Sequence, residues 1–143
     1  MGKQVVEFQV NVRSPIAVYV QIENQVQFAI AAGHLAPGDT LPSVRDMSAM
    51  LDINPNTVTK AYRDLELMGL VVTRRGVGVA VAPDAEERCS GRAHELVTEH
   101  LNDAVGEAVA CGWSSTRVHD VVEAALRAGA RPYAASAKGN GHP

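Results

Sequence analysis

A mainly α fold with a small β wing, an N-terminal winged helix-turn-helix followed by a two-helix C-terminal region, is what three features of the sequence predict. Apolar residues recur at spacings of three and four along most of the 143 residues, whereas period-two alternation is confined to the N-terminus and to the flanks of Arg74-Arg75-Gly76. Helix caps and stops punctuate those periodic stretches at regular intervals. The composition, 46% hydrophobic with 4% aromatic and 20% charged, supports an aliphatic core for one ordinary domain or two small ones.

Val6, Phe8, Val10 and Val12 alternate with Glu7, Gln9 and Asn11, which predicts a half-buried strand stopped by Ser14 and Pro15. Ser14 as a cap and Pro15 at the first helical position predict a first helix, with Tyr19, Ile22, Val26, Ala29 and Ile30 on one face and Gly33 at its end. Pro37-Gly38-Asp39 is a tight turn. Ser43 with Asp46 three residues later is a capping box, opening a short second helix that buries Val44, Met47 and Leu51 and ends near Asp52. Asn54-Pro55 repeats the cap-plus-proline signal for a third helix, which runs to about Met68 and closes at Gly69. Leu70 to Thr73 and Val77 to Val81 then read as the two arms of a hairpin.

Beyond Pro83-Asp84, no proline interrupts a long helix from about Ala85 to Cys111. Ala93, Val97, Leu101, Ala104, Ala108 and Cys111 fall on one arc of it, with Glu95, Glu99, Asp103 and Glu107 opposite. Gly112-Trp113 breaks this helix, and Ser114 caps a fifth with Val118, Val121, Val122, Ala125 and Leu126 on one side, ending at Gly129. The expected organisation is a winged helix-turn-helix over residues 1–83, a two-helix region over 84–130, and a disordered Pro-, Gly-, Ser- and Ala-containing tail over 131–143.

No stretch approaches the ~20 consecutive apolar residues of a membrane span, and Gln4, Glu7 and Gln9 interrupt the N-terminus where a signal peptide has its apolar run. The expected location is therefore cytoplasmic, with nucleoid association in a DNA-bound state, and no membrane partner. Cys89 and Cys111 lack metal-binding spacing and are too few for a disulfide scaffold. Residues 1–83 hold seven basic and seven acidic residues and residues 84–143 hold six and nine, so the net charge of −3 lies wholly in the second part. Domain-wide basicity is absent, but the cations between Arg45 and Arg75 are free to face a polyanion while the acidic part points elsewhere.

The third helix decides between solvated surface and reading surface. Val58, Ala61, Tyr62, Leu65 and Met68 share one arc, and Asn56, Thr57, Thr59, Lys60 and Arg63 share the opposite one. Asn bonds the adenine edge, Thr packs on a thymine methyl, and Lys and Arg reach guanine or phosphate. A solvated helix face accounts for these residue types equally well when that helix is taken alone. Arg45 at the start of the second helix and Arg74-Arg75-Gly76 at the hairpin tip add cations on either side, the arrangement of a three-point clamp on DNA.

The string from Gly33 to Arg45, GHLAPGDTLPSVR, with NPNTVTKAYRDLELMGL over 54–70 and RRGVG over 74–78, resembles the N-terminal domain of GntR-family bacterial transcription regulators. The short C-terminal part is similar to that of the small YtrA-like subfamily. The resemblance implies a repressor that binds an inverted-repeat operator, with GT and AC at its outer ends, as a homodimer held by two C-terminal helices. It implies DNA contacts from Arg45, from Asn54 through Lys60, and from the wing Gly76 and its basic neighbours; the capping Ser43 beside Arg45 is expected at the same surface. The sequence departs from the family at Val77-Gly78-Val79-Ala80-Val81, where an aromatic and a hydroxyl are usual.

The apolar seam on the fourth helix and its counterpart on the fifth exceed what two helices on a small domain bury alone. A homodimer through Val97, Leu101, Ala104, Ala108, Val118 and Val122 is expected, since an isologous interface uses one patch twice. Two rival classes fit the sequence less well. An enzyme built on His94, His100, His119 and Cys111 lacks metal-ligand spacing, a phosphate loop and a nucleophile elbow, so neither catalytic residues nor a metal or cofactor is expected. A winged-helix protein adaptor without sequence-specific DNA binding calls for exposed apolar residues on the third helix, where only Leu67 sits on the outer arc. Nothing in the sequence names an effector ligand.

Overall fold

Five helices and one hairpin make up residues 6–128, the part of the chain described by the computed structural model. Their order is α1 (Val18–Ala31), α2 (Val44–Leu51), α3 (Pro55–Leu67), β1 (Val71–Arg74), β2 (Gly78–Val81), α4 (Ala85–Ala110) and α5 (Ser115–Arg127). The expected tail over 131–143 lies outside the described residues.

The core forms where α1, α2, α3, the hairpin and the first turns of α4 meet. Ile22, Val26 and Ile30 of α1 pack with Met47 of α2, Val58 and Leu65 of α3, and Leu70, Val71 and Val81 at the hairpin. Ala85, Cys89 and Ala93 of α4 join the same cluster, so the first turns of α4 pack with the N-terminal unit. At 1.5 Å per residue, the 26 residues of α4 extend ~39 Å, and the buried ones all lie in its first nine positions. Among the described residues no helix is long and apolar enough to cross a membrane.

Two expectations at the N-terminus are corrected. Residues 6–10 form no strand. Their alternation is nevertheless satisfied, because Phe8 is buried and Val6 and Val10 pack against the core. The hydrogen bonds come from glutamine side chains on α1 instead of a neighbouring strand. Gln21 Oε1 accepts from the Asn11 N–H at 2.8 Å while its Nε2 donates to Asn11 O at 2.9 Å and Ile16 O at 2.8 Å. One turn later Gln25 repeats the arrangement on Gln9, accepting from its N–H at 3.0 Å and donating to its carbonyl. A primary amide offers the same donor and acceptor pair as a peptide group, and spacing of four residues stacks two such amides along one helix face.

The second correction concerns the start of α1. Ser14 and Pro15 lie in a bend, Ala17 is the N-cap without a side-chain hydrogen bond, and the helix begins at Val18. Ser14 Oγ accepts from the Ile16 N–H at 3.0 Å, and the Ser14 N–H donates to Asn11 O at 3.1 Å. The serine is thus consumed by a local turn and is unavailable as a helix cap.

The other boundaries among the described residues agree with expectation to within a residue or so, and Gly129, the expected end of the fifth helix, lies outside them. Gly33, with φ +82°, follows α1, and Asp52 ends α2 in the left-handed region at φ 55°. β1 and β2 pair antiparallel with Val71 opposite Val81 and Arg74 opposite Gly78. The linker after α1 also runs along β2, with the Gly38 N–H donating to Val81 O, the Leu41 N–H to Val79 O, and Thr40 bridging Ala80. That pairing fixes α2 relative to the hairpin.

Candidate nucleic-acid interface

Local capping sets the two helices of the helix-turn-helix. Ser43 Oγ accepts from the Asp46 N–H at 3.0 Å, and Asn54 Oδ1 accepts from the Asn56 N–H at 2.8 Å, with Pro55 at the first position of α3. Each bond satisfies one of the otherwise unpaired donors at a helix start. The Tyr62 hydroxyl donates to Pro42 O at 2.7 Å and ties the middle of α3 to the entry of α2. Burial pushes that phenol well above its ordinary pKa. The sequence placed Tyr62 on the buried arc; its polar end has no periodic signal and was missed.

With α3 so anchored, Val58, Ala61, Tyr62 and Leu65 are buried, Asn56 and Arg63 are exposed, and Thr57 and Thr59 are half-buried at the edges of the outer face. The first turn of α3 carries no acidic residue, so the positive end of the helix dipole is uncompensated there. Lys60 is exposed, but its ammonium lies 3.2 Å from Asp64 Oδ2 and 5.0 Å from the centre of the Tyr19 ring. Its cation is thereby held on the flank of α3 that faces α1. Arg45 is exposed in the first turn of α2, beside the capping Ser43.

The hairpin turn presents Arg74, Arg75 and Gly76, all exposed. Gly76 has φ +79°, a conformation a β-carbon would strain, and the Val77 N–H closes the turn on Arg74 O at 3.0 Å. Arg45, the outer face of α3 and the wing arginines therefore each carry exposed polar or cationic groups, on three separate elements.

One carboxyl cluster links α3 to the rest of the domain and was not anticipated. Glu23 of α1 is buried, and burial followed by the neighbouring Asp64 pushes its carboxyl up to about 8. Asp64 is held below the usual carboxylate range, first by its hydrogen bond with Glu23 and then by Lys60. A lone Glu among the polar and apolar residues of α1 gives no hint in sequence of the partner it will meet.

The residues expected at an interface between copies divide by burial. Val97, Leu101 and Ala104 on α4 and Val122 on α5 are exposed, while Ala108 and Val118 are half-buried. The large exposed apolar side chains of α4 are Val97, Leu101, Val105 and Val109, a row spaced four apart that drifts off the expected seam at its far end. Val121, Val122 and Leu126 of α5 are likewise exposed, and no residue of α5 is buried. At the corner between the helices, Arg117 stacks on Trp113 with its guanidinium carbon 4.3 Å from the ring centre. His94, His100, His119 and Cys111 are all exposed, and among the described residues no group of three or more possible ligands could hold a metal ion.

Comparison with known proteins addresses the same residues. The family model for bacterial regulatory proteins of the gntR family matches residues 18–81, from the first residue of α1 to the last of β2. The HTH-type transcriptional repressor YtrA of Bacillus subtilis (strain 168) is 32% identical over 115 residues, covering 80% of this chain and 88% of that protein. A GntR family transcriptional regulator from Listeria monocytogenes superposes with a TM-score of 0.59 at 26% identity, over 80% of this chain and 97% of that one. YtrA from Sulfolobus acidocaldarius, a GntR-family transcription factor, does so with a TM-score of 0.50 at 26% identity, over 85% and 98% of the two chains. At 80% or more of the chain these likenesses run beyond the winged helix, and the chain belongs to the gntR family of bacterial regulatory proteins, on the side of its small YtrA-like members.

Proposed function

We propose that the protein is a sequence-specific DNA-binding transcriptional repressor that acts in the cytoplasm, binds an inverted-repeat operator as a homodimer, and is associated with the nucleoid while bound. The observation that carries the reading is the outer face of α3: exposed Asn56 and Arg63, edge Thr57 and Thr59, and a first turn free of carboxylates. Asn56 reads a base edge, while Arg45 and the wing Arg74 and Arg75 hold the phosphates on either side. Ser43 and Asn54 act chiefly as caps that aim backbone N–H groups outward, and Lys60 contributes to the DNA surface only by leaving Asp64. The uncovered apolar rows of α4 and α5 support the homodimer, through Val97, Leu101, Ala104, Ala108, Val118 and Val122 together with Val105 and Val109. The gntR family is one of regulators, not enzymes, so the scattered histidines carry no catalytic reading.

Selection of bound sequences from random duplexes tests the proposal. A recovered site with two-fold symmetry is the expected result; enrichment of no sequence over the starting pool, with the protein folded, rejects it. The adaptor reading rests on Leu67, which is 81% exposed near the end of α3, and gains ground only in that second case.

A further inference from the structure

α1 and α4 face each other across a cavity of about 380 Å³, with Met68 at the end of α3 forming part of its wall. Each helix contributes residues at spacings of three, four and seven, Val20, Glu23 and Gln27 from α1 and Arg92, Leu96 and Glu99 from α4, with Glu95 beside them. That spacing marks the face by which two helices ordinarily pack through apolar side chains. Here Val20, Leu96 and Met68 supply only part of the lining, and three carboxyl groups meet a single guanidinium.

Two acceptor atoms in this lining are buried with no donor from the protein, Glu23 Oε2 and Gln27 Oε1. Their residues are 8% and 3% exposed. Burying unpaired polar atoms at a helix contact opposes folding, so stability alone gives no reason for them. With the Glu23 proton given to Asp64, both atoms are acceptors, so a ligand that reaches them brings hydrogen-bond donors. The acidic excess of the lining favours a cation and disfavours a carboxylate, and the apolar walls fit an aliphatic body.

We propose that this cavity is a binding site for a small molecule bearing a primary ammonium group on an apolar chain, with the ammonium against Glu23 and Gln27 and the chain against Val20, Leu96 and Met68. An ammonium carries three donors, enough for both buried acceptors and one rim carboxylate, Glu95 or Glu99. The charged groups around Glu23 are Asp64 and Lys60 from α3 and Arg92 from α4, and Glu95 and Glu99 line the same cavity. Glu23 holds its proton up to about 8 in the unliganded protein, so an incoming ammonium displaces that proton into solution. Binding at neutral pH is therefore coupled to proton release.

Calorimetric titration of the full chain without DNA at pH 7 tests this, using primary n-alkylamines from propyl to octyl, with hexanol and hexanoate of matched length. Amines of intermediate length are expected to bind at least about tenfold more tightly than hexanol or hexanoate, the value of a charge-assisted hydrogen bond. Titration in buffers of different ionisation enthalpy is expected to show net proton release. Glu23→Gln is expected to lower amine affinity about tenfold and to abolish the proton release. The double change Glu95→Gln, Glu99→Gln touches only exposed positions, keeps the fold, and is expected to weaken binding about two- to fivefold. The proposal is overturned if no amine in the series binds at millimolar concentration, if hexanol binds as well as hexylamine, or if the folded Glu95/Glu99 variant binds amines unchanged. None of these readouts involves an operator, so they stand or fall apart from the DNA-binding proposal.

Discussion

Asn56 and Arg74 occupy positions that separate specificity from affinity. Asn56 is exposed in the first turn of α3, with its own N–H already used by Asn54. Its side-chain amide is left for a base edge, and Asn56→Ala is expected to cost ~1–3 kcal/mol on the selected site and much less on scrambled duplex. Arg74 at the wing meets phosphates, so Arg74→Ala is expected to weaken both duplexes alike. Titration of each variant against both duplexes checks the pair, and equal losses for both variants on both duplexes remove α3 as the reading element. Glu23 makes a different statement about pH. Its pKa is raised from 4.5 to about 8 on folding, so the folded chain keeps a proton that the unfolded chain has lost. Its contribution to stability is complete below about 4.5 and disappears as pH rises through about 8. Melting temperatures between pH 5 and 9 are expected to fall for the wild type across that window and to stay flatter for Glu23→Gln; parallel curves exclude the assignment. Local residue chemistry was legible in advance: Ser43, Asn54 and Ser114 cap as expected because each bonds an N–H two or three residues ahead. Glu23 and Tyr62 were not, because their partners, Asp64 and Pro42, arrive only with the tertiary fold.

At the scale of elements, periodicity told which residues are buried more reliably than it told what they pair with. The alternation of Val6, Phe8 and Val10 is real, yet its hydrogen-bonding partner is a helix face bearing Gln21 and Gln25. No sequence rule for strands looks for a glutamine pair, which is why a strand was expected. Gln21→Leu removes three hydrogen bonds that hold the N-terminal segment. The expected loss is ~2–3 kcal/mol in urea unfolding, with faster amide exchange at Asn11; exchange unchanged at Asn11 shows that the segment is held by other means. The α4 helix yields a redox expectation. Cys89 is buried near its start and Cys111 is exposed just past its end, and 22 residues of helix separate them by ~33 Å, against the ~7 Å limit for Cα atoms joined by a disulfide. Oxidation is expected to cross-link copies through Cys111 alone and to be abolished by Cys111→Ser. A compacted oxidised monomer on a non-reducing gel contradicts a continuous α4.

Taken whole, the described residues bury their core in the winged helix and leave the apolar row on the far part of α4 and most of α5 exposed. Sedimentation at micromolar concentration is expected to give about twice 15.2 kDa, and Leu101→Glu is expected to shift it toward the monomer. A wild-type chain that stays monomeric on DNA rules out the dimer. If each subunit sets two or three cations on phosphates, the affinity of a dimer is expected to fall with a log-log salt slope of about −4 to −5, flattened by about one for each wing that loses Arg74. The overall layout was legible because caps, breakers and arcs are written residue by residue. The placement of the apolar row was less so, since Val105 and Val109 lie where a straight seam does not run but a four-residue ridge does. That α4 is one uninterrupted rod, with its buried residues Ala85, Cys89 and Ala93 all at the end fixed to the core, also makes it a ruler. Each added residue past Ala93 turns everything distal by about 100° and advances it ~1.5 Å. The phase between two DNA-reading heads in a dimer is thus encoded in the length of that rod. Inserting one residue there scrambles the half-site geometry, whereas inserting four comes within about 40° of the original phase and carries each head ~6 Å further along its own rod. A graded insertion series then reads out as a graded change in preferred operator spacing.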